Sequence, residues 1–387
     1  MTHRDKTRLV HVSRTRPAEG TGPVNPPIVR TSTVLYKDMA TLRSMAVRRS
    51  RGERLFTYGI RGTPTTFALE DALTEIEQGS RTMLFPSGLA AIAHVFLSVL
   101  KPGDHALLAE TIYGPARGIA EHYLAERGIE CEFYPGGHEE VGRRLRPATR
   151  LVYLDNPGSI VFDVQDVPAI AKAVAGRDIL VAVDNTWGAP GLYRPLALGA
   201  DISIVAITKY IAGHSDLAMG SVTANDRCAD RLWADANLFC ESVSPDEAYL
   251  ALRGLRTAAA RMTMQQAHAA AVIRWLERHP LIDRILYPAL ETHPGHAIWK
   301  RDFCGANSLF SLVFRPDITQ QQANRFVDRL ELFGIGASWG GFESLALTYP
   351  QGVNGWSGGS LVRLHIGLED PADLIADIEQ ALDALDT

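Results

Sequence analysis

Short apolar runs alternate with helix-length segments from Arg61 to about Gly220, and this order predicts the secondary structure before any other property is weighed. Strand-like runs fall at 82–85, 105–109, 130–134, 151–154, 179–183, 202–207 and 221–223. Between them, 88–100, 115–127 and 167–175 have the length and period of amphipathic helices. Strands that alternate with helices predict an α/β unit, a parallel sheet covered by helices. An alanine-rich stretch, 245–279, predicts a long helix bridging this unit to a second one. From Ile282 to Thr387, strand patterns (308–314, 361–366) mix with helix patterns (320–330, 371–385), a smaller α+β unit. The first 55 residues or so are polar, proline-containing and basic, with little to build a core from. Their apolar residues Ile28, Val34, Leu35 and Tyr36 suit an arm laid on a neighbouring subunit. The expected division is therefore an arm over 1–55, an α/β domain over 56–245 and a C-terminal domain over 246–387.

Composition narrows the partners. At 387 residues the chain has room for two or three domains at about 150 residues each. Its 39 Lys and Arg against 44 Asp and Glu lack the basic excess that draws proteins to phosphate backbones, so nucleic acid is not an expected partner. Cys131, Cys228, Cys240 and Cys304 form no Cys-x-x-Cys pair and no even framework, which suits a reducing compartment. Nowhere do 18 apolar residues run together, and no apolar stretch or cleavage pattern follows the basic start. The expectation is a soluble, cytoplasmic protein with no membrane partner.

Three segments place chemistry at strand ends. Ser87-Gly88-Leu89 forms a turn entering a helix, where unpaired N–H groups and the helix dipole favour an anion such as a phosphate. The same residues also suit a simple helix cap. Asp184 ends a strand at the sheet edge where α/β proteins bind ligands. Lys209, with Thr208 before it, follows the next strand, where burial and nearby cations lower a lysine's pKa and free its amine as a nucleophile. A partner for a pyridine nitrogen, a Schiff-base lysine and a phosphate cradle are the three protein parts that pyridoxal 5'-phosphate requires. An Asp184–Lys209 ion pair without a cofactor satisfies the first two residues equally well. His293 and His296 stand without further ligands at fixed offsets, and no metal site is expected.

Further segments carry a family resemblance. They are Tyr58-Gly59-Ile60-Arg61, Phe85-Pro86-Ser87-Gly88, Tyr113-Gly114-Pro115, Asn156-Pro157-Gly158-Ser159, Asp184-Asn185-Thr186-Trp187, Thr208-Lys209-Tyr210, Leu252-Arg253-Gly254-Leu255-Arg256-Thr257 and Leu361-Val362-Arg363-Leu364-His365. In this order they run from about residue 25 to the end, and the chain resembles the Cys/Met-metabolism family of pyridoxal-phosphate enzymes. His293-Pro294-Gly295-His296 and Ser338-Trp339-Gly340-Gly341-Phe342 are most similar to its bacterial cystathionine β-lyase branch.

The resemblance implies a fold-type I, transferase-like α/β architecture and a site assembled residue by residue. Lys209 would carry the cofactor and Asp184 would pair with its pyridine nitrogen. Tyr113 would stack on the ring, and Asn156 would lie near the 3'-oxygen. Ser87, Gly88, Leu89 and Thr208 would hold the phosphate, joined by Tyr58 from a neighbouring subunit. Arg363 would clamp the substrate carboxylate, flanked by Ser338 and Trp339. Two departures stand out. Ile60 takes a place where most of the family has Arg, leaving Arg61 to meet either the phosphate or the distal end of the substrate, and Ala206 stands where many members have Ser.

The implied activity is α,β-elimination of L-cystathionine, or a related S-substituted cysteine, to a thiol such as homocysteine, pyruvate and ammonia, with Lys209 and Tyr113 as the catalytic residues. A γ-acting relative or a non-catalytic binding protein on the same fold are the alternatives. A nicotinamide dehydrogenase is set aside because no Gly-x-Gly-x-x-Gly follows the first strand. The resemblance further implies a homodimer or homotetramer with active sites shared between subunits.

Overall fold

The computed structural model describes residues 4–14 and 20–385. Seven strands form the larger sheet: β1 (Arg81–Phe85), β2 (His105–Ala109), β3 (Glu130–Tyr134), β4 (Thr149–Asp155), β5 (Leu180–Asp184), β6 (Ile202–Ala206) and β7 (Gly220–Ala224), in the order β1-β7-β6-β5-β4-β2-β3. Neighbours from β6 through β3 run parallel, whereas β7 runs antiparallel to both β6 and β1. The sheet is thus mostly rather than wholly parallel. The reversal of β7 follows from the short return Thr208–Met219, which brings the chain straight back beside β6 with no crossover helix. Central strands such as β5 are buried along their whole length, as continuous apolar runs covered on both faces must be.

Most expected elements sit within a residue or two of their places. The segment expected as one amphipathic helix over 115–127 is helical throughout but changes pitch, from α (Gly114–Gly118) through π (Ile119–Leu124) to 3-10 (Ala125–Arg127). One helix missing from the sequence reading, Pro64–Glu77, starts with a capping box at Thr63 and Thr66 and buries Leu69, Ala72, Leu73 and Ile76. The long helix runs from Pro245 to Leu276, packing on Pro64–Glu77 at one end and on the C-terminal helix Pro371–Asp383 at the other.

The second sheet contains β8 (Ile282–Leu286), β9 (Leu309–Phe314), β10 (Gly334–Ile335), β11 (Leu345–Tyr349) and β12 (Leu361–His365), in the order β10-β11-β12-β9-β8. Alternation along β12 sends Arg363 and His365 to one face and Val362 and Leu364 to the other.

Near the N terminus the structure departs from an arm without core residues. The helix Asp5–His11 docks on its own subunit, burying Leu9, with Val12 just beyond it, in the same cluster as Leu69, Leu73 and Ile76. The helix Met39–Ser50, in contrast, buries none of its residues. Among the described residues no helix is long and apolar enough to cross a membrane.

Candidate active site

The carboxyl ends of β1, β2, β4, β5 and β6 share one sheet edge, and the expected site residues gather there. The helix Gly88–Val99 follows β1 with Ser87 as its N-cap, the Ser87 hydroxyl accepting the Ala90 N–H at 3.0 Å. Ser87 Oγ thus accepts within the helix start and keeps its own O–H to donate. The N–H groups of Gly88 and Leu89 have no protein acceptor among the described residues and face the edge as an anion cradle. Only glycine fits at 88, because a Cβ there would lie 2.7 Å from the Ala206 Cβ. Ala206, where the family often has Ser, thus stands directly beside the cradle.

Asp184 closes β5. Its Oδ1 accepts the Thr186 N–H at 2.9 Å, and Thr186 Oγ1 in turn accepts the Ala206 N–H, tying the ends of β5 and β6 together. Burial raises the Asp184 pKa, while the Thr186 hydrogen bonds and the charge of Lys209 hold it down. No Lys or Arg forms an ion pair with Asp184 among the described residues, so the cofactor-free ion pair is not what the structure contains.

Lys209 instead donates to Ser338 Oγ at 2.7 Å, with its Nζ 5.3 Å from the centre of the Trp339 ring. Burial and the Arg363 charge push its pKa down to about 8 against the pull of Asp184. The Ser338 carbonyl accepts from Arg363 Nη2 at 3.2 Å. Arg363 is only 8% exposed and has no carboxylate partner among the described residues; its guanidinium lies over the Tyr349 ring, 5.4 Å from the centre. A buried, unpaired guanidinium is costly unless an anion joins it.

The backbone N–H of Tyr113, between β2 and the helix Gly114–Gly118, is anchored at 2.9 Å on Asp155 Oδ2, and its ring remains 44% exposed at the mouth of the site. Burial and Asp184 hold the phenol above its usual pKa, outweighing Arg363. Near neutral pH Tyr113 is therefore an acid rather than a base.

Some expected residues are placed differently. Both amide hydrogens of Asn156 go to protein acceptors, Gln165 O (3.2 Å) and Tyr193 Oη (2.9 Å), and its Oδ1 accepts Gln165 N–H. It braces the strand end and has little left to offer a ligand. Thr208 Oγ1 is bonded in both directions to the Met219 backbone, at 3.1 and 2.9 Å. Tyr58 precedes and Arg61 ends the 3-10 turn Gly59–Arg61, Tyr58 exposed and Arg61 half-buried, with no hydrogen bond or ion pair to Lys209, Asp184 or Arg363 among the described residues. His293 is buried, its Nδ1 accepting Gly295 N–H, and burial lowers its pKa to about 4.

Two contributors escaped the sequence reading, Asp155 under Tyr113 and His365 under the Ser338–Gly341 loop. The Gly340 N–H lies 3.1 Å from His365 Nε2, and burial, which pushes this histidine down to about 3, keeps the ring neutral so that one of its nitrogens can accept. Gly340 itself has φ +83°, and a Cβ there would lie 2.9 Å from Tyr210 N and 3.1 Å from Lys209 Cα. The loop is clamped between β12 and the lysine's own backbone. Among the described residues no group of three His, Cys, Asp or Glu side chains is placed to hold a metal.

An amine depressed to about pKa 8, a buried carboxylate without a cation and open N–H groups at a helix start fit an aromatic aldehyde that carries a ring nitrogen and a phosphate. The sequence profile of the Cys/Met metabolism PLP-dependent enzymes matches residues 6–383, and the chain belongs to that family, whose cofactor is pyridoxal phosphate. Cystathionine β-lyase of Bordetella avium is 46% identical over 95% of this chain and 94% of its own. Cystathionine β-lyase MetC of Escherichia coli is 39% identical over 96% of each. The crystal structure of metB from Corynebacterium glutamicum superimposes with a TM-score of 0.91 at 31% identity, covering 99% of both chains.

Proposed function

We propose that this chain is a carbon–sulfur lyase that catalyses α,β-elimination of L-cystathionine or a related S-substituted cysteine, releasing a thiol such as homocysteine, pyruvate and ammonia. The observation that carries the proposal is Ser338, which accepts the Lys209 amine through its hydroxyl and the Arg363 guanidinium through its carbonyl. An α-amino acid has its carboxylate one bond from the carbon that must lose a proton. A base and a carboxylate clamp that meet on one residue match that spacing.

Pyridoxal phosphate, when bound, supplies an electron sink for the bond electrons released at Cα. The chain's residues do the rest. Gly88 and Leu89 N–H groups would hold the cofactor's phosphate, the Lys209 amine would take up its aldehyde, and Asp184 would pair with its ring nitrogen. Arg363 would fix the substrate carboxylate, and the Lys209 amine would take the Cα proton. Tyr113, a phenol held in its protonated form, gives its proton to the departing thiolate, while Trp339 and Tyr349 exclude water beside the clamp. Arg61 and Tyr58, placed away from this cluster, serve the site of a second copy. The exposed apolar residues of the 20–60 segment, Leu35 at 90% and Ile60 at 40% among them, support a homodimer or homotetramer.

Product identification tests the reading. The holoenzyme given L-cystathionine is expected to form pyruvate and homocysteine, and Lys209→Ala to form neither. Cysteine with 2-oxobutanoate instead assigns the chain to the γ-acting relatives.

A further inference from the structure

Asp155 and Asp184 are partners across parallel strands β4 and β5, each the last residue of its strand, so their carboxylates lie on the same face side by side. Asp155 is 7% exposed. Its Oδ2 accepts the Tyr113 N–H at 2.9 Å and its Oδ1 the Tyr153 O–H at 3.3 Å. No Lys, Arg or His forms an ion pair with it among the described residues. The charged and titratable groups that face the pair are Tyr113, Tyr153 and Asp163 around Asp155, and Lys209 and Arg363 beyond Asp184 and Tyr113. Among the described residues the cation that acts on Asp184 is Lys209, and none acts directly on Asp155.

Two buried carboxylates held this close do not both ionise at neutral pH; the pair keeps one proton, and the proton goes to the member without a cation. Resting on the site reading above, we propose that Asp155 is a positioning residue that, as a neutral acid, fixes the main chain of Tyr113 and leaves the anion of the pair on Asp184. Tyr113 depends on it because a residue between a strand end and a five-residue helix has few other anchors. Asp184 depends on it because a second negative charge alongside would draw the proton that the ring nitrogen needs. Burial and the neighbouring Asp184 charge, which raise the Asp155 pKa well above the usual carboxylate range, agree with this assignment.

An amide is the test, since it is neutral like the protonated acid: its oxygen can still accept the Tyr113 N–H, and its NH2 can donate to Tyr153 Oη as the acid's proton would. In reconstituted holoenzyme, Asp155→Asn is expected to bind pyridoxal phosphate within about threefold of the unaltered protein and to keep the visible circular dichroism band of the bound cofactor. Asp155→Ala is expected to weaken binding by about tenfold or more and to diminish that band, the loss that a deleted buried acceptor produces. Melting of both cofactor-free variants reports that the fold persists. If Asp155→Asn is as impaired as Asp155→Ala, a charge is required and the inference is overturned; it is overturned equally if Asp155→Ala is unaltered. Asp184→Ala separates the two levels. Unchanged cofactor binding in that variant removes the site reading itself, whereas weakened binding upholds that reading, and the two Asp155 variants then decide the inference.

Discussion

The chemistry of single residues here is governed by what stands beside them. Lys209 has an amine near pKa 8 because it is desolvated and faces Arg363, and Asp184 opposes that shift. The signs separate experimentally. Labelling of Lys209 in the cofactor-free protein by an amine-reactive reagent should rise with pH around a midpoint near 8, against about 10.4 for an ordinary lysine. Arg363→Met removes the repelling cation and should move the midpoint up, whereas Asp184→Asn removes the attracting anion and should move it down. Peptide mapping across a pH series reads all three, and a midpoint unmoved by either change contradicts the electrostatic account. Tyr113 has the opposite task. Its phenol stays protonated, so Tyr113→Phe should lower kcat by about 100-fold, the scale of a lost general acid, and change KM little. Steady-state rates at saturating substrate check this.

At the scale of elements, the site is made by loops pinned onto strand ends, and the pins are backbone contacts. The Ser338–Gly341 loop passes so close to Lys209 that Gly340→Ala would drive a Cβ into the backbone of the lysine and of Tyr210, at a positive φ that disfavours any side chain. A loss of more than about 1–2 kcal/mol is expected from the conformation alone, together with a loss of activity as Ser338 leaves Lys209. Gly142→Ala is the control: it lies on the short helix His138–Arg144, its Cβ meets nothing within 4 Å, and its melting temperature should hold or rise. This scale also marks the limit of what the sequence could tell. Runs such as His105–Ala109 and Leu180–Asp184 have their strand bounds in plain view, since a polar residue meets an apolar run at the edge of each. The direction of β7 does not follow from its residues, because side-chain alternation is the same in either direction. Lys209, Asp184 and Arg363 were legible from their charge at strand ends or within a matching motif. Asp155 and His365 were not, because their value lies in partners 29 and 25 positions away, Asp184 and Gly340, that only the fold brings near. Asn156 shows the converse: it lies at the expected strand end, and its bonds to Gln165 and Tyr193, which only the fold brings near, could not be read in advance.

For the whole molecule, the question is whether one chain holds a complete site. Lys209, Asp184, Tyr113 and Arg363 converge within the chain, but Tyr58, at 46% exposure, and the half-buried Arg61 stand apart from them. The helix Met39–Ser50, earlier in the same segment, buries none of its residues, and Leu35 and Met39 stand in solvent. A twofold contact would cover such a surface with its own copy and would carry Tyr58 and Arg61 of each chain toward the other's cluster. Two inactive variants should then repair each other. Lys209→Ala spoils the site built on its own chain, and Tyr58→Ala with Arg61→Ala spoils the site of the partner. In a mixed dimer both lesions fall in one site and the other is intact. Equal amounts unfolded and reassembled together give about half mixed dimers with one good site of two, so about a quarter of the unaltered activity should return. Each variant reassembled alone should return almost none. Sites complete within single chains would give no recovery beyond the average of the two variants, and that result would remove the shared-site arrangement.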